Sequence, residues 1–79
     1  MYIEKEYKLE LIKKYGGQNV IEAEKAMDNY YNEVYEFYFD YYASKEIAQN
    51  IALKVVANKF PNGLEEAIQD WTKKEKQHN

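Results

Sequence analysis

A chain of 79 residues without cysteine has neither disulfides nor a thiolate zinc site, so its stability must come from packing or from association with another chain. A net charge of −3 disfavours phosphate backbones, and because all eleven basic residues are lysine, the guanidinium group that best recognises phosphate and guanine is missing. No apolar run of about 18 residues is present and the chain opens with alternating charge, so we expect a cytoplasmic protein without a membrane segment or secretion signal.

Residues 2–15 form the first predicted helix. The segment is rich in helix-forming Glu, Lys and Leu, and an apolar stripe repeats at helical spacing: Ile3, Tyr7, Leu11 and Tyr15. Apolar and charged residues also alternate within it, as in a strand. We favour the helix because a lone strand would have no partner elsewhere in the chain. Gly16 and Gly17 are predicted to end this element.

The turn after this helix resembles a known motif. Residues 14–20 read Lys-Tyr-Gly-Gly-Gln-Asn-Val and are followed by Ala23 and Ala26. This resembles the first turn of helix-turn-helix domains of the Fis type, and the resemblance implies DNA binding. In that family the second helix is short and ends in a Leu-Gly turn, whereas residues 27–31 contain no glycine and the helical pattern continues. Without arginine, and with negative charge, we interpret Gly16 and Gly17 as an ordinary helix stop.

The central prediction is one long tyrosine-rich helix over about residues 20–42. Asn19 is its expected N-cap, with Glu22 in the capping-box position. A seam at heptad spacing is predicted to pack inside the protein: Val20, Ala23, Met27, Tyr30, Val34, Phe37 and Tyr41. Four tyrosines lie beside this seam and are our predicted partner-binding residues: Tyr31, Tyr35, Tyr38 and Tyr42. Such a helix is about 34 Å long, which a small bundle cannot fully cover.

Two further helices are predicted. Ser44 is a cap after a break near Ala43, and the third helix extends over residues 45–60, where Pro61 stops it. Small alanines on this helix would let the aromatic helix approach closely: Ala48, Ala52 and Ala57. The fourth helix is expected after Asn62, with Glu65 as its capping-box acid and a short apolar stripe: Leu64, Ala67, Ile68 and Trp71. Residues 1–79 therefore form one all-α domain, a small bundle of three to four helices around the long central one.

Groups suited to catalysis are scarce. Besides tyrosine the only hydroxyl side chains are Ser44 and Thr72, and the single histidine, His78, is almost at the end of the sequence. Two carboxylate pairs have helical spacing, Glu6 with Glu10 and Glu24 with Asp28, but the Glu-x-x-His pattern of helical metal sites is absent. We expect no enzyme activity, no metal and no cofactor.

Two functional hypotheses follow. The first is a non-enzymatic module that binds a protein partner, or a second copy of itself, through the aromatic face of the long helix. The second is a nucleic-acid-directed regulator, either a helix-turn-helix-like DNA binder or an acidic DNA mimic of the kind that phages and other mobile elements carry. The mimic would use the acidic ridge Glu33, Glu36 and Asp40. Negative charge makes direct nucleic-acid binding the disfavoured version of the second hypothesis.

Overall fold

Four α-helices make up the computed structural model of the protein, which describes the backbone of residues 3–77 and the side chains of residues 3–74. They are α1 (Lys5–Tyr15), α2 (Gly17–Tyr42), α3 (Lys45–Lys59) and α4 (Leu64–Gln77). The described residues include no strand. The predicted all-α architecture is therefore confirmed, and the first segment is a helix. None of the four helices is both long enough and apolar enough to cross a bilayer.

The long helix α2 determines the shape of the molecule. Its 26 residues correspond to about 39 Å, which matches the longest dimension of a molecule measuring 40 × 31 × 18 Å. Each of the other three helices packs against it. The prediction of a single organising helix is confirmed, although α2 begins three residues earlier than expected, at Gly17.

The hydrophobic core lies against the N-terminal half of α2. It joins residues from all four helices and from the end of α3: Leu11, Val20, Ala23, Met27, Val56, Phe60, Leu64, Ala67 and Ile68. The predicted apolar stripe of α4 supplies three of these residues, and Trp71 packs half-buried at the edge of the same core. All three buried residues of α2 lie in this half of the helix.

Polar contacts tie α1 to the start of α4. The Tyr7 hydroxyl accepts from the Glu65 backbone N–H and donates to the Asn62 carbonyl, each at 3.3 Å. The Glu65 carboxylate accepts from the Tyr15 hydroxyl at 2.8 Å and from the Lys14 ammonium at 3.0 Å. Glu65 is therefore an inter-helix contact and not the predicted capping acid. Because α4 begins at Leu64, Glu66 takes the third helical position instead, and its carboxylate accepts from the Asn62 N–H at 3.0 Å.

A single glycine separates α1 from α2. Gly16 has φ 91° and ψ 144°, a conformation that side chains with a Cβ rarely adopt, and it ends α1 and precedes α2 directly. The predicted N-cap role of Asn19 is wrong, because the abrupt turn at Gly16 lets α2 start before it. The Asn19 side-chain amide instead donates to the Tyr15 carbonyl at 2.9 Å and satisfies the end of α1.

A short loop joins α2 and α3 into an antiparallel hairpin. Ala43 adopts the left-handed conformation at φ 52°, and the Ser44 hydroxyl accepts from the Ile47 N–H at 3.3 Å, as the predicted break and cap require. At the other end of α3, the rings of Tyr30 and Phe60 meet edge to face at 6.4 Å. This register places the buried alanines Ala48 and Ala52 opposite the C-terminal half of α2. Ala57, the third predicted small contact, is exposed.

Candidate protein-binding surface

The predicted heptad seam of α2 is buried at one end and exposed at the other. Met27 is 4% exposed, whereas Phe37 is 64% exposed and Tyr41 is 75% exposed, so the prediction of an internal seam is wrong for its last two members. On a straight helix, positions at heptad spacing drift by about 20° per repeat, away from a fixed neighbour. Every buried residue of α2 lies at or before Met27, so the other helices do not bury the seam beyond that position.

The four predicted tyrosines are less exposed than these two residues. Tyr31, Tyr35 and Tyr38 are half-buried, and Tyr42 is 47% exposed. Their rings make contacts in two separate groups along the helix. Tyr31 and Tyr35 stack at 6.2 Å between ring centroids, and Tyr35 continues the stack onto Phe39 at 5.9 Å.

The other two predicted tyrosines belong to a second group of rings at the C-terminal end of α2. Tyr38 stacks with Tyr42 at 6.3 Å, Phe37 meets Tyr38 edge to face at 5.0 Å, and Tyr41 meets Tyr42 edge to face at 4.7 Å. We call these four residues, Phe37, Tyr38, Tyr41 and Tyr42, the tip cluster. From exposed fractions of 64%, 75% and 47%, the residues Phe37, Tyr41 and Tyr42 together present roughly 370 Å² to solvent, an area that on monomeric proteins often marks a functional patch.

The tyrosine hydroxyls that the structure describes divide into two classes. Those of Tyr7 and Tyr15 join α1 to α4 through the hydrogen bonds described above. The six tyrosines of α2 make no hydroxyl hydrogen bond within the described part of the chain. Since a tyrosine hydroxyl needs water or a partner, these six side chains leave their polar ends available at the surface.

The predicted acidic ridge lies along the same half of α2. Glu33, Glu36 and Asp40 are all exposed. Helical spacing interleaves them with the rings, since Glu33 and Asp40 lie four residues before and three residues after Phe37. Asp40 also lines one open surface depression together with Phe37 and Tyr41. Aromatic and anionic groups are therefore presented side by side.

The two groups with perturbed pKa values lie elsewhere. The Glu65 carboxylate accepts hydrogen bonds from Lys14 and Tyr15. These bonds, with Lys14 having the larger effect, lower the pKa of Glu65 below its usual 4.5. The hydrogen bond to Glu65 likewise raises the pKa of Lys14 above 10.5. These groups join α1 to α4 at the surface, so their shifts reflect a structural contact and not a reactive site.

Several of the hydroxyl and carboxylate side chains considered above for catalysis or metal binding make structural contacts. Ser44 caps α3, and the Thr72 hydroxyl donates to the Gln69 carbonyl at 3.0 Å. Glu24, from one of the predicted carboxylate pairs, forms an ion pair with Lys8 at 2.9 Å. Among the side chains of residues 3–74 no group of three or more potential metal ligands comes together. His78 lies outside the described residues.

Comparison of the chain with protein-family models, curated proteins and solved structures found no match. Function must therefore be inferred from the surface itself. Sequence reasoning identified two members of the tip cluster, Tyr38 and Tyr42, and missed Phe37 and Tyr41 because they share the seam of Met27. The heptad pattern carries no local signal that separates these two residues from Met27, which is buried although Glu24 lies three positions before it.

Proposed function

We propose that the protein is a non-enzymatic interaction module whose tip cluster binds another protein. The observation that supports this most directly is the exposure of Phe37 and Tyr41 beside Tyr42 at one end of the molecule. Interface cores are enriched in aromatic side chains, and rigid rings lose little conformational entropy when they are covered. The remaining tyrosines of the predicted stripe, Tyr31 and Tyr35, would support this surface from the adjacent stack.

The position of the hydrophobic core relative to the tip cluster suits this role. Buried packing from four helices holds the N-terminal half of α2, and α2 is a continuous helix that carries the tip cluster outward from that core. A site built on a rigid element presents its side chains in a fixed arrangement, which reduces the entropic cost of binding. The core would thus act as the base that positions the tip.

The chemistry of the chain favours binding over catalysis. It has no cysteine, and both non-tyrosine hydroxyls are used in local hydrogen bonds. Carboxylates beside the tip cluster would repel a phosphate backbone, so we propose a protein partner and not direct contact with nucleic acid. A cytoplasmic location is part of this proposal, since a chain without cysteine suits a reducing compartment.

A photo-crosslinking amino acid at position 37 tests the proposal in the cells that naturally make the protein. We expect it to join the protein to one discrete partner, and we expect a crosslinker at Ile21, which is 50% exposed, to give no such product. The double variant Phe37→Ala/Tyr41→Ala should fail to co-purify that partner. The matched control Leu9→Ala/Ile21→Ala, which also removes two exposed apolar side chains, should retain it. Equal crosslinking from positions 37 and 21 would refute the proposal.

A further inference from the structure

We infer that the tip cluster binds a cationic protein surface, in which lysine or arginine side chains surround an apolar pocket. This inference rests on the proposed function and specifies the chemistry of the partner. Its starting point is the local charge. Residues 26–44 contain four acidic residues, Asp28, Glu33, Glu36 and Asp40, and no basic residue, and Lys45 is the first lysine after them.

The acids beside the tip cluster differ from others in the protein. Glu24 and Glu65 each have a lysine partner, Lys8 at 2.9 Å and Lys14 at 3.0 Å. Within the described residues, Glu33, Glu36 and Asp40 make no ion pair and no side-chain hydrogen bond. The fold therefore leaves three exposed negative charges uncompensated at the place where it also exposes its aromatic rings.

A binding partner cannot cover the exposed rings without also approaching a carboxylate. Asp40 shares an open depression with Phe37 and Tyr41, so a surface that covers these rings must also come close to the carboxylate. Desolvating a carboxylate without a compensating cation or hydrogen bond is costly, and a facing anion would add repulsion. Cationic side chains around the apolar contact remove both penalties.

The protein contains an internal example of a cation placed over an aromatic ring. The Lys59 ammonium lies 4.4 Å from the centroid of the Tyr30 ring, on the same helix as the tip cluster. Among the described residues, no such ammonium covers a ring of the tip cluster. A lysine or arginine from a partner could therefore contact a ring face and a neighbouring carboxylate together, which is a favourable arrangement for arginine in particular.

Charge also argues against a second copy of this chain as the occupant. A two-fold contact uses the same patch on both subunits. It would bring six carboxylates around one apolar contact, with Lys45 of each copy as the nearest lysine in sequence. Like charges facing each other across an interface are unfavourable, so a cationic partner fits this surface better than the protein itself does.

An unbiased peptide selection tests the inference. Random twelve-residue peptides displayed on phage are selected on the wild-type protein at low salt, with prior removal of phage that bind Phe37→Ala/Tyr41→Ala. We expect the selected peptides to combine lysine or arginine with bulky apolar residues and to be more positive than the starting library. This follows because a peptide that contacts Phe37 and Tyr41 also meets Asp40, with Glu33 one helical turn before Phe37.

A charge variant then separates local from overall electrostatics. Glu33→Gln/Glu36→Gln/Asp40→Asn should weaken binding of a selected peptide about tenfold, since three exposed ion pairs are lost. The matched control Glu4→Gln/Glu6→Gln/Glu10→Gln changes the net charge equally, on exposed positions in α1 and at its N-cap, and should have little effect. The difference in peptide affinity between these two variants should disappear near 1 M salt, where the Debye length is about 3 Å. Equal weakening in both variants would overturn the inference.

The outcomes distinguish this inference from the proposed function. Peptides that need Phe37 and Tyr41 but are neutral or acidic would overturn the inference and leave the interaction module intact. A selection that yields no peptide dependent on these two rings would count against both. Self-association through the tip cluster, measured by sedimentation velocity of wild type and Phe37→Ala/Tyr41→Ala, would overturn the cationic partner in favour of a second copy.

Discussion

Replacing Met27 and Tyr41 separately with alanine compares two positions that the heptad pattern treats as equivalent. They lie two heptads apart on α2, yet Met27 is 4% exposed and Tyr41 is 75% exposed. Truncating a buried methionine removes its transfer free energy and leaves a cavity, which costs about 2–5 kcal/mol. For Met27→Ala we expect about 3 kcal/mol and, for a domain of this size, a fall in Tm of about 12–24 °C.

The expected loss at Tyr41 is much smaller. About a quarter of a side chain of roughly 200 Å² is covered there, which corresponds to about 1.2 kcal/mol of apolar burial. Alanine recovers about 0.5 kcal/mol through its higher helix propensity. We therefore expect Tyr41→Ala to lower the free energy of unfolding by about 0.7 kcal/mol.

Urea denaturation followed by circular dichroism measures both losses under the same conditions. If the two variants lose the same free energy at every protein concentration, the seam is buried along its whole length within one chain, and the tip cluster is not an exposed surface. If the Tyr41→Ala loss instead grows with protein concentration, a second copy covers the ring.

Two further predictions concern the connections between helices. Of the three positive-φ positions among the described residues, two give opposite expectations: Gly16→Ala should destabilise by about 1–3 kcal/mol, whereas Ala43→Gly should leave the Tm unchanged or raise it, because glycine relieves strain that alanine bears. The opposite order in thermal unfolding would contradict this. Because Lys14 and Tyr15 lower the pKa of Glu65, its ionised form is favoured by folding, and that contribution is complete above about pH 4.5 and lost as the pH falls through the folded pKa. The stability difference between wild type and Glu65→Gln should therefore shrink in acid titrations below pH 4.5, and a difference independent of pH would contradict the assigned contact.

Helix positions were predictable where a local signal marks them. Ser44 can cap α3 through its own hydroxyl, and Pro61 cannot continue a helix, so both boundaries follow from nearby residues alone. Asn19 and Glu65 show the limit of this reasoning. Both residue types are suited to helix caps, but the turns at Gly16 and Gly63 place the helix starts at other positions than predicted. Asn19 therefore binds the end of α1, and Glu65 binds a side chain of α1.

The candidate surface was predicted in type but not in position. Sequence reasoning expected an aromatic surface on the long helix because its length exceeds what a small bundle covers, and the structure has exposed rings there. It placed that surface on Tyr31, Tyr35, Tyr38 and Tyr42, whereas the most exposed rings are Phe37 and Tyr41. Helical periodicity gives the angle of each residue on α2, but the angle alone does not say where a neighbouring helix lies.

The sequence by itself determined that the protein is helical, that one helix dominates it and that this helix carries more aromatic surface than the remaining residues can cover. These properties depend on composition, periodicity and local end signals, which act within a few residues along the chain. Tertiary structure decided which rings are covered. The core residues of the other three helices meet the first half of α2, which holds all of its buried residues, so Met27 is buried and Tyr41 is exposed despite their equivalent positions in the pattern.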